Sequence, residues 1–290
     1  MNLLRTALFL PGNNPGMLQN GGVFGADAVI LDLEDAVSPN EKDAARQLVK
    51  NALQTVDYRN AKKIVRINPM DLGGVTDIKA IIPAKPDMIL VPKINHAQEI
   101  IEAIQLIEQM ESDNQKTLVI PLIETAQGVV NINNIVAADE RIRSVVFGAE
   151  DYTASLGVAR SKDGQEIYTA RTLIVNAAAA VGIDAIDTPF TDVQDDEGLL
   201  NDTLLSKKLG FKGKLAINPR QIDVIHEAFA PTTQEINWSV RVIHAIEQAA
   251  KAGSGVISLD GKMIDAPIVH RAERTLAIAK YLNLLTGELS

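Results

Sequence analysis

VVFGAED, residues 145–151, joins a short apolar run to a glycine and a pair of carboxylates. Val145, Val146 and Phe147 read as a buried strand, Gly148 lets the backbone turn, and Glu150 and Asp151 arrive together. The same arrangement of apolar run, polar or Pro/Gly stop and longer helical stretch recurs along the chain. The other runs are TALFLPG (6–12), AVILDLED (28–35), KIVRINP (63–69), MILVPK (88–93), LVIPLIET (118–125), IDAIDTP (183–189) and LAINP (215–219), which makes eight. Near-continuous apolar strands are the habit of parallel sheets covered on both faces.

The intervening stretches carry helical signals. Ser38-Pro39-Asn40-Glu41 reads as an N-cap, a proline at the first helical position and a capping-box acid. Ala44, Ala45, Leu48, Val49, Ala52 and Leu53 then recur at helical spacing, as do Ile100, Ile104 and Ile107 further on. Residues 170–182 are alanine-rich and helix-prone. Strands alternating with helices predict an α/β fold, and eight copies predict a (β/α)8 TIM barrel over residues 1–230. The rival is a doubly wound sheet, but no GxGxxG follows the first run. Residues 231–290 are more than a barrel needs to close. They read as helix (232–253), hairpin around Asp260-Gly261 and helix from Pro267, an extension expected to pack on a neighbouring subunit.

Composition narrows the function. With no cysteine, disulfides, thiolate chemistry and sulfur-bound metals are excluded. A net charge of −9 argues against nucleic-acid binding. No apolar run reaches the ~18 residues of a membrane span. MNLLRTALFLPG lacks the charge pattern and cleavage site of a signal peptide, so a cytoplasmic protein is expected.

In a (β/α)8 barrel the chemistry lies at the carboxyl ends of the strands. Those ends offer Gly12 and Asn13, Glu34 and Asp35, Arg66 and Asn68, Lys93, Glu124, Glu150 and Asp151, Asp187, and Asn218. Strands commonly end in solvated polar groups, which is the bland account of any one of them. An arginine, a lysine and several carboxylates on one rim make a site the better account of the set. Glu124 and Asp151 are the candidate metal ligands, since two carboxylates plus water and substrate oxygens suit Mg²⁺. The competing account is ion pairing with nearby cations. Glu150 is expected to face the other way, because adjacent strand residues alternate. Arg66 suits two-pronged binding of a substrate carboxylate. Lys93 serves either as a substrate-binding point charge or as the counterion of Glu34 and Asp35. The histidines (96, 226, 244 and 270) fall in helices or at helix starts, and Ser155 and Ser161 have no histidine partner, so no hydrolase triad is expected.

At these residues the sequence resembles a known family. RTALFLPG, ILDLEDAV, VRINP, IPLIET, FGAEDYTASLG, LAINPRQ and GKMIDAP, in this order from Arg5 to about Arg271, are similar to the citrate lyase-like and malyl-CoA lyase-like aldolases, and most of all to citrate lyase β subunits. The resemblance implies a barrel, often trimeric, with Mg²⁺ at the positions of Glu124 and Asp151 and a substrate-binding arginine at Arg66. It implies that Arg5 and the Pro11-Gly12 turn cradle a CoA-like arm. It also implies that Asp265 of GKMID reaches the active site of an adjacent subunit.

The reaction so implied is retro-Claisen cleavage of a citryl thioester, on CoA or on an acyl carrier protein, to oxaloacetate and an acetyl thioester. An α subunit and the carrier protein would be its partners. Arg66 would stabilise developing charge, Asp265 would protonate the enolate carbon, and the hydroxyl base would be Glu34 or a hydroxide on the metal. The alternatives are a stand-alone malyl-CoA or citramalyl-CoA lyase, a non-catalytic complex subunit, and a phosphate-handling barrel. The last lacks its Gly-rich turn after the seventh or eighth run.

Overall fold

A computed structural model of the chain describes residues 3–251 and 257–285. Eight parallel strands close on themselves in sequence order: β1 (Thr6–Pro11), β2 (Ala28–Asp32), β3 (Lys62–Arg66), β4 (Met88–Val91), β5 (Leu118–Ile123), β6 (Ser144–Phe147), β7 (Asp184–Asp187) and β8 (Gly213–Ala216). The ring closes by β8 pairing with β1, Lys214 opposite Thr6 and Leu215 opposite Ala7. The fold is the predicted (β/α)8 barrel. Each predicted apolar run contains its strand or overlaps it, but the strands stop one to four residues before the runs do. The turn toward the next helix begins there, and the polar groups ride on it.

Period-two alternation divides the strand residues between two cores. Ala7, Ala28, Ile30, Ile64, Met88, Leu90, Ile120, Leu122, Val146, Ile186 and Leu215 fill the barrel interior. Leu8, Leu10, Val29, Leu31, Val65, Ile89, Val91, Ile123, Val145 and Phe147 face outward into the helices. There Ala45, Val49, Ile100, Ile104, Ile107, Ile167 and Ile174 cover them. The core thus has a narrow inner column and a thicker outer shell. Continuing the inward register two residues past Ile30, Ile64 and Leu122 gives Asp32, Arg66 and Glu124, all buried, at the carboxyl mouth.

Two local expectations change. Ser38 does not cap the helix Lys42–Thr55; its hydroxyl donates to Glu41 Oε2 at 2.9 Å, and residues Pro39–Glu41 form a separate 3₁₀ turn. Glu150 and Asp151 do not end a strand. They occupy the first turn of the helix Ala149–Leu156, so they diverge by helical rotation and not by strand alternation.

The chain divides into two compact units, one running to Phe229 and one beginning at Ala230. In the second unit the helix Thr233–Lys251 opens with a capping box. Glu235 Oε2 accepts from Thr232 N–H at 2.8 Å, and Thr232 Oγ1 accepts from Glu235 N–H at 3.1 Å. A hairpin follows, β9 (Ile257–Leu259) and β10 (Lys262–Ile264), turning on Asp260 and Gly261. Their φ values of 52° and 74° are both positive, as a two-residue type I′ turn requires. Asp265 caps the last helix, Ala266–Tyr281, by accepting from Ile268 N–H. No helix among the described residues is long and apolar enough to cross a membrane.

Candidate active site

The carboxyl mouth of the barrel holds a cavity of about 470 Å³. One wall is apolar, with Phe9, Met17, Leu122, Leu215 and Ile217; the other carries Asp32, Asp35, Arg66, Glu124, Glu150 and Asp151. Arg66, the last residue of β3, is gripped in two-pronged fashion by Asp32 at the end of β2. Its Nε donates to Asp32 Oδ1 and its Nη2 to Asp32 Oδ2, each at 2.7 Å. The Phe9 ring lies 4.8 Å from the guanidinium carbon. Arg66 Nη1 stands 2.9 Å from Glu34 Oε2 and 3.4 Å from Asp35 Oδ2. The carboxylates, Asp32 foremost, hold the guanidinium above its ordinary pKa against the opposing effect of burial.

Glu34 is 4% exposed, and neither of its carboxylate oxygens accepts a directed hydrogen bond. Burial, with Asp35 and Asp32 adding to it against Arg66 and Lys93, pushes its pKa up to about 7. Glu124 is equally buried and is pushed up to about 8, by burial first and then by Glu34 and Asp151. Its Oε1 accepts from Lys93 N–H at 2.8 Å. Lys93 follows Pro92 and has a positive φ of 55°. The Lys93 ammonium lies 3.7 Å from both Glu34 Oε1 and Asp151 Oδ2, and those charges raise its pKa despite partial burial. Glu150 turns to Arg160, 3.1 Å away. A side chain at Gly148 would put Cβ 2.8 Å from Glu124 Cβ and 2.9 Å from its Oε2, so this position must lack one.

The structure therefore brings Arg66, Glu34, Glu124, Asp151, Lys93 and Pro11 to one mouth. Gly12 is beside it, where its N–H donates to Asp32 O and a Cβ would lie 2.4 Å from that same oxygen. Arg5 is not brought there. It precedes β1, and its guanidinium pairs with Asp27 at 2.8 and 2.9 Å. At ~3.3 Å per strand residue this is about 20 Å from the mouth. Reading Arg5 as a ligand of the CoA-like arm is corrected accordingly: it ties the amino-terminal ends of β1 and β2. Asp265 belongs to the second unit, where it serves as an N-cap.

Three further strand-end groups turn out to be structural. Asn68 donates to the buried Asp77, Asn218 accepts from Arg220 N–H in its own turn, and Asn13 donates to Glu41. Asp187 is wholly buried on the outward face, with Arg171 and Lys214 at 2.7 and 2.8 Å. These two cations hold its carboxyl low, at about 2, against the effect of burial.

Two polar cavity residues were missed in the sequence, Asp32 and Thr188, whose Oγ1 accepts from Ala149 N–H at 3.0 Å. Both were visible as inward positions: 28, 30 and 32 share one face of β2, and 188 lies one inward step beyond Ile186 of β7.

The site suits a divalent cation. Five carboxylates, setting aside Glu150 with its own arginine, gather around two cations, and the two oxygens of Glu34 are buried without a donor. Among the described residues no three Asp, Glu, His or Cys side chains form a ready-made metal cage. The protein thus offers two carboxylates at most, the donor set of an ion that keeps water and takes substrate oxygens.

Residues 5–219 match the model of the HpcH/HpaI aldolase/citrate lyase family. The chain belongs to this family. Among its relatives is the citrate lyase subunit beta of Leuconostoc mesenteroides subsp. cremoris, 46% identical over 99% of this chain and 96% of that protein. Among solved structures, CitE of Mycobacterium tuberculosis in complex with magnesium, acetoacetate and coenzyme A superposes with a TM-score of 0.80 at 31% identity, over 96% of this chain and 98% of that one. A citrate lyase beta subunit from M. tuberculosis complexed with oxaloacetate and magnesium matches with a TM-score of 0.68 at 31% identity, over 80% and 100%.

Proposed function

We propose that this chain is the β subunit of a citrate lyase. It would be a Mg²⁺-dependent carbon–carbon lyase that cleaves a citryl thioester to oxaloacetate and an acetyl thioester. The observation that carries the reading is the convergence of Arg66, Glu124 and Asp151 on one cavity with Glu34 2.9 Å from Arg66, in a chain 46% identical to a citrate lyase subunit beta. Glu124 and Asp151 would hold the Mg²⁺. Bound there, the ion would supply Lewis acidity to the substrate's hydroxyl and neighbouring carboxylate oxygens.

The residues divide the remaining work. Glu34, raised to about 7 and with both oxygens free of directed hydrogen bonds, takes the proton of the tertiary hydroxyl. The C–C bond then breaks as the carbonyl of oxaloacetate forms, and its electron pair passes to the thioester as an enolate. Arg66 lines the cavity, where it would bind a carboxylate and offset the developing negative charge, and the apolar wall of Phe9, Leu122 and Leu215 keeps water from it. Lys93 offsets the charges of Glu34 and Asp151 while its amide holds Glu124. Asp265, from a second copy of the chain, delivers the proton to the enolate carbon. This makes the second unit a contributor to a homo-oligomer, for which a trimer is the proposed form. The thioester would arrive on an acyl carrier protein or on CoA, in the cytoplasm, with the α subunit as the other partner.

Oxaloacetate release from citryl-CoA by the purified chain, with and without Mg²⁺, tests the reading, with malyl-CoA and citramalyl-CoA alongside. Mg²⁺-dependent cleavage of citryl-CoA is expected. Glyoxylate or pyruvate from the other esters, with citryl-CoA inert, would transfer the same site to a stand-alone lyase.

A further inference from the structure

Asp32 borders the cavity, yet its carboxylate is already spent on the protein. It is the last residue of β2, faces inward and is 1% exposed. Oδ1 accepts from Arg66 Nε at 2.7 Å and from Glu34 N–H at 2.9 Å. Oδ2 accepts from Arg66 Nη2 at 2.7 Å and from Ala36 N–H at 3.2 Å. A carboxylate has roughly four lone-pair sites, and all four are in use. Asp32 has no acceptor left for a cation or a substrate, so its contribution must pass through the groups it holds.

Those groups are the candidate cation and the candidate base. With Nε and Nη2 pinned and the Phe9 ring beside the guanidinium, Nη1 is the least engaged nitrogen of Arg66, held only by a long hydrogen bond to Asp35 Oδ2 at 3.4 Å. The turn carrying Glu34 is pinned from the Asp32 carboxylate through two amides. It is held from the other side by Lys42 Nζ, which donates to Leu33 O at 2.8 Å and to Glu34 O at 2.6 Å. Arg66 Nη1 and Glu34 Oε2 stand 2.9 Å apart without a directed hydrogen bond. Freed from Asp32, the guanidinium would swing its fork onto Glu34 and cap both oxygens.

We propose that Asp32 is a positioning residue that holds Arg66 and Glu34 in one frame and keeps the guanidinium from closing on the base. The proposal rests on the lyase reading for its assay and on hydrogen-bond geometry for its second readout. The kinetic test is a double-mutant cycle of Asp32→Asn and Arg66→Met, read as oxaloacetate release with Mg²⁺ saturating. In the wild-type background Asp32→Asn is expected to lower kcat/KM about 100-fold, the scale of a misplaced catalytic group. In the Arg66→Met background the same change is expected to cost no more than about twofold, since the guanidinium it steers is gone and the asparagine oxygen still accepts from Glu34 N–H. Mg²⁺ affinity by calorimetry should hold in Asp32→Asn, because Glu124 and Asp151 are untouched. An equal loss in both backgrounds would overturn the proposal and leave Asp32 as a fold element.

If the wild-type chain cleaves no ester, the lyase reading fails, and the clamp is then decided by nuclear magnetic resonance. A slowly exchanging Arg66 Nε–H signal should be present in the wild type and lost in Asp32→Asn; its persistence would overturn the clamp. If Asp32→Asn does not fold, Asp32→Ser takes its place in both experiments with the same expected outcomes.

Discussion

Replacing Gly148 by alanine separates the metal site from the fold. The backbone at Gly148, φ −110° and ψ 95°, is one that alanine adopts without strain, so only the added methyl matters. That methyl would lie 2.8 Å from Glu124 Cβ and 2.9 Å from Glu124 Oε2. Carbon pairs rest at ~3.5–4.0 Å, so the contact falls short by roughly 0.7–1.2 Å. The strand carrying Glu124 is paired on both sides, and its Oε1 is tethered to Lys93 N–H at 2.8 Å. The Cβ contact yields only to a shift of the backbone at Gly148 or Glu124 and the Oε2 contact to rotation of the carboxylate, and both pull Glu124 away from that bond. Overpacking of this kind costs about 1–3 kcal/mol of stability, which leaves the chain folded. Displacing a ligand, or the group that orients it, costs about 10–100-fold in metal affinity. Gly148→Ala is thus expected to show native circular dichroism, a modestly lower urea midpoint, and Mg²⁺ binding by calorimetry at least about tenfold weaker, with turnover falling in step. Wild-type Mg²⁺ affinity and turnover in the alanine variant would refute the assignment of Glu124 and the argument from its neighbour.

Glu124→Gln and Asp151→Asn should each abolish Mg²⁺-dependent oxaloacetate release with little change in the thermal transition; retained turnover in metal-free buffer would remove the metal from the mechanism. The pKa values of Glu34 and Glu124, about 7 and about 8, lie above the ordinary 4.5, so the folded metal-free chain keeps these protons longer than the unfolded chain does. Their stability contribution is full below pH 4.5 and is lost as pH rises through 7 and 8. The metal-free melting temperature should therefore fall across that window, and Mg²⁺ affinity should rise over it as Glu124 gives up its proton; titration calorimetry from pH 6 to 9 reads both the affinity and the proton release. Asp187→Asn should destabilise the chain by about 3–5 kcal/mol by leaving the buried Arg171 and Lys214 with Asp202 alone of the two carboxylates they share, while Mg²⁺ binding persists; a loss below about 1 kcal/mol would contradict the buried network. Asp265→Asn should keep stability, since asparagine caps helices about as well as aspartate, yet lose kcat with substrate affinity retained; an unchanged kcat would remove Asp265 from the chemistry.

The site was legible where side-chain chemistry and strand position coincide. Arg66 and Glu124 lie at the inward end of a strand or one step past it, and there an arginine or glutamate in an apolar run stands out. Asp32 was passed over because AVILDLED offers three acids, and Glu34 and Asp35 come last. Only the inward register of Ala28 and Ile30 leads to Asp32, the acid that grips Arg66 with both oxygens. Asp187 was misread for the complementary reason. It ends a strand too, but on the outward register, where Arg171 and Lys214 claim it from neighbouring elements.

Sequence alone determined what is local and repetitive. The eight apolar runs, the helices between them, the Thr232–Glu235 capping box and the Asp260-Gly261 hairpin all follow from spacing along the chain, where each signal and its partner lie within a few residues. Tertiary structure alone decided which polar groups meet. The pairing of Asp32 with Arg66, 34 residues away, and the donation from Lys93 N–H to Glu124, 31 residues on, depend on barrel closure and strand register. So do the upward shifts of Glu34 and Glu124, which come first from burial, a property of the assembled core and not of any stretch of chain. The placement of Arg5 shows the same limit: only the direction of β1 within the barrel puts it at the end away from the cavity.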